Sequence, residues 1–110
     1  MKNQRAVLPI PMTSFNAANL TGNFLVINTD GLDEACDMLR MTNDSDVDVT
    51  ISFDGTNNHD FLITGQVLQL PTPVGISNFR RYTKIYLKGA AQASGTIYLS
   101  GYYRLSRKGE

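Results

Sequence analysis

Apolar and polar residues alternate with a period of two along most of the chain. Between Asp46 and Asp54 the odd positions are Val47, Val49, Ile51 and Phe53, whereas the even positions are Asp46, Asp48, Thr50, Ser52 and Asp54. Successive strand side chains point to opposite faces, so this segment predicts a strand with one dry and one wet face. Asp54-Gly55-Thr56-Asn57-Asn58 then carries turn chemistry, because Gly and Asn accept positive φ and Asp bonds its own backbone. His59 to Ile63 resumes extended character, which predicts a hairpin. Its expected register sets Ile51 opposite Phe61 and Val49 opposite Ile63 on one buried face, whereas a one-residue slip would bury Leu62 alone and expose the others.

The alternation continues on both sides. Gln66 to Leu70 reads as a short strand, stopped by Pro71-Thr72-Pro73-Val74-Gly75, which cannot continue a ladder. Tyr82 to Lys88 and Thr96 to Arg104 place Ile85, Leu87, Ile97 and Leu99 at odd positions around the small-residue tip between Gly89 and Gly95. Upstream, Thr13 to Asn19 and Asn23 to Thr29 predict two strands about a Leu20-Thr21-Gly22 turn, and Pro9 and Pro11 confine the N-terminal segment to an edge or an arm. Asp30 to Asn43 supports two readings. Leu32, Ala35, Cys36 and Leu39 have helical spacing behind an Asp30 cap, and the alternation from Cys36 to Thr42 suits a strand. The strand is preferred, since Asn43-Asp44-Ser45-Asp46 would then turn directly into an antiparallel neighbour.

These elements predict an all-β fold, an antiparallel two-sheet β-sandwich, jelly-roll or Ig-like, of seven or eight short strands. Residues 1–11 are expected to form an N-terminal arm, ordered only against a neighbour, and 12–110 a single domain. The length of 110 residues allows one core. Ten Lys and Arg balance ten Asp and Glu, so long-range attraction to phosphate backbones or anionic lipid has no obvious source, and neither nucleic acid nor membrane is expected as a partner. The longest apolar run, Phe24-Leu25-Val26-Ile27, is far too short to span a bilayer. Met1-Lys2-Asn3-Gln4-Arg5 leads into a proline-broken stretch rather than the apolar core of a secretory signal. The single cysteine, Cys36, leaves no intrachain disulfide to form.

Catalytic chemistry is scarce. His59 is the sole imidazole and sits at a hairpin mouth, where a structural or exposed role is expected rather than that of a general base. Cys36 has no Lys, Arg or His beside it in sequence and reads as a buried small hydrophobe rather than a thiolate nucleophile. Dinucleotide, P-loop and zinc motifs are missing, so no enzyme activity, catalytic residue, cofactor or metal is expected. Asp44-Ser45-Asp46-Val47-Asp48 imitates the opening of a calcium loop, but Val49 stands where glycine is needed and Gly55 where a bidentate glutamate should be. Arg104, Arg107 and Lys108 read as a solvated basic terminus.

Tyrosine placement is the more specific signal. Tyr82, Tyr86, Tyr98 and Tyr102 share even parity on the last two predicted strands, opposite the aliphatic positions. A hairpin centred on Gln92 would set Tyr86 against Tyr98 and Tyr82 against Tyr102, with Ile85 against Leu99 and Leu87 against Ile97 on the other face. Such a ladder, rimmed by Lys84, Lys88 and Arg104, is the expected interaction surface, because rigid aromatic rings with a polar tip are enriched at interfaces.

The runs Val47-Asp48-Val49-Thr50-Ile51-Ser52-Phe53-Asp54-Gly55, His59-Asp60-Phe61, Ile85-Tyr86-Leu87-Lys88-Gly89 and Ser94-Gly95-Thr96-Ile97-Tyr98-Leu99-Ser100-Gly101-Tyr102-Tyr103 resemble small virion structural proteins of tailed bacteriophages. The resemblance covers residues 36 to 104 and implies a non-enzymatic all-β domain of the neck, tail or capsid surface, present in symmetric copies. It implies other virion proteins and copies of itself as partners, and the lack of a signal-like N-terminus fits assembly in the host cytoplasm. The alternative from another class is a carbohydrate-binding β-sandwich module, in which the tyrosines would stack on sugars; the lack of Trp and of a convincing calcium site counts against it.

Overall fold

In a computed structural model the described residues are 6–71 and 79–105. They form nine strands, β1 (Ala6–Pro9), β2 (Thr13–Asn16), β3 (Leu25–Val26), β4 (Met38–Ser45), β5 (Val49–Ser52), β6 (Asp60–Leu62), β7 (Val67–Pro71), β8 (Tyr86–Gly89) and β9 (Gly95–Leu105). A single 3-10 turn, Ala17–Asn19, follows β2, with the Asn16 side chain accepting the Ala18 N–H at 3.0 Å.

All strand pairs are antiparallel and divide between two open sheets. The first has the order β1-β9-β4-β7, with β2 also on β9; the second has the order β3-β8-β5-β6. The order follows from one ribbon. β5 pairs β6, β4 pairs β7, β3 pairs β8 and β2 pairs β9, so the chain doubles back at the β5–β6 hairpin and stays paired outward from it. Wrapping that ribbon brings β9 to β4 and β8 to β5, which makes the molecule a jelly-roll sandwich with β1 as an additional edge strand.

Alternation decides what the sheets enclose. Leu39, Met41, Ile97 and Leu99 from the first sheet, Val49, Ile51, Leu62 and Leu87 from the second, and Ile85 just before β8 are all at most 1% exposed. Leu20, Leu32, Cys36 and Ala93 close the ends of this core. The strand reading from Cys36 onward holds, with β4 beginning at Met38, and no α-helix occurs among the described residues.

Three pairing expectations are corrected. The strands bearing Ile85/Leu87 and Ile97/Leu99 do not form a hairpin, because β8 lies in the second sheet and β9 in the first. A hairpin and an arch between facing sheets bury the same parity of residues, so alternation does not separate them. The turn expected at Asn43-Asp44-Ser45-Asp46 is instead the end of β4, which carries Asn43 into the core and then crosses to the other sheet. In the β5–β6 hairpin the register sets Val49 opposite Leu62 and Thr50 opposite Phe61. That is the slipped alternative: Leu62 is buried, while Phe61 and Ile63 stand 51% and 48% exposed. Polar anchors fix it, since Leu62 O accepts from Asn43 Nδ2 at 3.1 Å and Thr64 N–H donates to Asp48 Oδ1 at 2.9 Å.

Of the expected arm, Ala6–Pro9 runs as an edge strand along Tyr102–Leu105 and Ile10 enters the core. Residues 1–5, the segment 72–78 and the basic residues Arg107 and Lys108 lie outside the described residues. The longest dimension is 54 Å against 24 and 21 Å across.

Candidate interaction surface

The outward side chains of the first sheet fall into rows across its strands. Ser14, Tyr98, Thr42 and Val67 are successive partners on β2, β9, β4 and β7, and Ser100, Arg40 and Gln69 make the next row. Tyr102 follows between Pro9 and Met38. Arg40 joins two of these rows: its Nη2 donates to Tyr102 Oη at 3.4 Å and its guanidinium carbon lies 5.9 Å from the ring centroid. Tyr98, Arg40 and Tyr102 are each half-buried by their neighbours.

The second sheet presents a different outer face. Lys88, Thr50 and Phe61 form a row on β8, β5 and β6, and Val26, Tyr86 and Ser52 form the adjacent one. Lys88 Nζ sits 4.5 Å from the centroid of the Phe24 ring, which extends the first row beyond β3. The loop after β5 folds back over this face, and a Cβ at Gly55 would lie 3.2 Å from the Tyr86 ring. Asp54 organises that loop by accepting the N–H groups of Thr56 and Asn57 and the Asn57 amide, at 2.7 to 2.8 Å. The backbone N–H of Asn57 and then that of Thr56 hold its carboxyl well below the usual carboxylate range.

The four tyrosines therefore do not form one ladder. Tyr98 and Tyr102 share the first sheet's outer face, Tyr86 lies on the opposite outer face, and Tyr82 projects from the loop before β8, 63% exposed at φ 73°. The arch between β8 and β9 separates them. Of the expected rim, Lys88 belongs with Phe24 on the second sheet and Lys84 is exposed before β8; the Arg104 side chain is outside the description. Arg40 and Phe24 are not among the surface residues the sequence points to, although Arg40 has the same even parity as the outward residues of β9, and Phe61, expected on the buried face, is exposed.

His59 acts locally. Its Nδ1 accepts the Phe53 N–H at 3.0 Å, its ring tilts against Phe53 at 5.7 Å, and Nε2 is 3.8 Å from Asp54 Oδ2. Cys36 is fully buried beneath the bridge to Phe79, and burial first, then the charges of Asp37, Glu34 and Asp33, push its thiol up to about 11. Two of the aspartates that imitate a calcium loop serve as caps: Asp46 accepts from Ser94 N–H at 2.8 Å and Asp48 from Thr64 N–H. Among the described residues no three His, Cys, Asp or Glu side chains are grouped as metal ligands, and no helix is long and apolar enough to cross a membrane.

The fold and its two outer faces define an all-β jelly-roll sandwich with an aromatic and arginine-bearing sheet surface. No family model matches the chain, and no curated protein matches it. A solved structure from Bacillus endospore appendages, described as a novel family of disulfide-linked pili, is similar over 94% of this chain and 92% of that one, at a TM-score of 0.46 and 14% identity.

Proposed function

We propose that this chain is a non-enzymatic structural component of a tailed-bacteriophage virion, held in symmetric copies at the neck, tail or capsid surface by other virion proteins and by copies of itself. The observation that carries the reading is the first sheet's outer face, where Tyr98, Arg40 and Tyr102 stand in adjoining rows held by backbone register and one side-chain contact. Tyr and Arg are the residue types that concentrate binding energy at protein interfaces. Jelly-roll sandwiches serve as building blocks of viral capsids, a fold-level analogy that supports the reading without specifying it.

A second reading rests on the other face. Phe24, Tyr86 and Phe61 with Lys88 could receive a sugar ring, and lectins also use this fold. Mass spectrometry of purified particles separates the two. The structural reading predicts the chain at a fixed stoichiometry per particle and no signal for the isolated protein on a glycan array. Particles that lack the chain, or specific glycan binding, would overturn it.

A further inference from the structure

The first sheet ends at β7, whose far edge has no strand partner among the described residues. Its hydrogen-bonding phase follows from the ladder. Asn43 N–H donates to Gln66 O at 2.9 Å, so by antiparallel alternation Leu68 and Leu70 bond to β4, whereas Val67, Gln69 and Pro71 turn their backbone groups outward. Pro71, which has no N–H, falls where β4 asks for none.

Open edges are usually defended by charge, above all lysine, by proline within the strand, or by very short strands. β3 has two residues and β6 has three, one of them Asp60. β7 has five residues, Val-Leu-Gln-Leu-Pro, without a charge, and its one proline is the last residue, so Val67 and Gln69 both present outward N–H groups. The same side of the sandwich carries Phe61, Ile63 and Val67 at 51%, 48% and 52% exposure, because only residues 63–66 connect β6 to β7.

We infer that β7 pairs antiparallel with β7 of a second copy about a two-fold axis through Gln69, which joins two first sheets into one continuous sheet. This rests on the reading of the chain as a protein that assembles with copies of itself. In that register Gln69 and the partner's Gln69 exchange both backbone bonds, and each Val67 N–H donates to Pro71 O across the axis, while Val67 O, which faces the position of the absent proline N–H, keeps water as its donor at the end of the seam. An isologous contact sets each strand against its own sequence, and a charged residue on the axis would face its like. β7 presents none. Phe61 and Ile63 of both copies flank the seam.

Sedimentation equilibrium and amide exchange on the isolated full chain test this. The expected results are a mass that rises from 12.2 kDa to twice that with concentration and a concurrent slowing of Val67 and Gln69 amide exchange by about tenfold or more. Gln69→Pro removes only an outward N–H and should stay monomeric with melting close to that of the parent; Gln69→Asp, which places like charges on the axis, should do the same. A chain that remains monomeric, or a dimer whose Val67 and Gln69 amides stay unprotected, contradicts the inference. So does protection of these amides only within the particle, which would assign the edge to another virion protein. Because the readout uses isolated protein, a monomer found in fixed stoichiometry in particles would refute the pairing and leave the structural role standing.

Discussion

Asn43 fastens the two sheets together. It is fully buried, its Nδ2 donates to Val47 O and Leu62 O at 2.8 and 3.1 Å, and its Oδ1 accepts from Ser45 N–H and Ser45 Oγ. An amide supplies both donors and acceptors there, whereas a carboxylate would face two carbonyl oxygens. Asn43→Asp should therefore cost about 3 kcal/mol or more at neutral pH, measured by urea denaturation. A polar residue inside a run of turn formers reads as a turn; the counter-signal is its parity with Leu39 and Met41, which the sequence reading did not extend past Thr42. Gly95 is a second such residue, at φ 108°, where a Cβ would overlap Asp44 O. Gly95→Ala should lose about 2 kcal/mol or more, and a neutral effect would show that the β9 start is placed otherwise. Cys36 supplies a pH test. Its folded pKa of about 11 lies above the ordinary thiol value of 9.0, so the protonated form favours the fold. That contribution is complete below about pH 9 and lost as pH rises towards 11. Cys36→Ala should show a flatter alkaline fall in stability.

At the scale of the elements, parity was legible and pairing was not. Val49, Ile51, Ile85, Leu87, Ile97 and Leu99 are all core, as alternation required. Their partners depend on whether each connection turns within a sheet or arches across the core, and the same side chains are buried either way. This is why parity alone groups the tyrosines on one hairpin, whereas Tyr98 and Tyr102 belong to one sheet, Tyr86 to the other and Tyr82 to the loop before β8. Phe61 failed for a related reason, since the expected register maximised apolar burial in a strand that lies at an edge and is anchored by polar contacts. Engineered disulfides distinguish arch from hairpin. Ser14 and Tyr98 are a non-hydrogen-bonded pair on β2 and β9, a geometry suited to a bridge. In a Cys36→Ala background, Ser14→Cys with Tyr98→Cys should oxidise readily within the folded monomer, and Tyr86→Cys with Tyr98→Cys should not. The reverse outcome would restore the hairpin.

For the whole molecule, the ribbon topology joins residues far apart in sequence: Thr13 pairs with Leu99 and Met38 with Tyr102. The two-sheet class followed from many short strands with turn chemistry between them; the jelly-roll order could not, because long-range pairing leaves no local pattern. The proposed function depends on what the finished sheets display. Tyr98→Ala with Tyr102→Ala removes two half-buried rings from an outer face without touching the core. Melting should change modestly, while incorporation into particles should fall by about tenfold or more, as expected for interface anchors. Loss of cooperative melting would instead mark these rings as structural. Electron cryo-microscopy of the assembled particle tests the central claim most directly. The predicted result is this jelly roll at symmetry-related positions, with the Tyr98, Arg40 and Tyr102 face against a neighbour. A fully interpreted particle map with no density for the chain, or one in which that face meets only solvent, would contradict it.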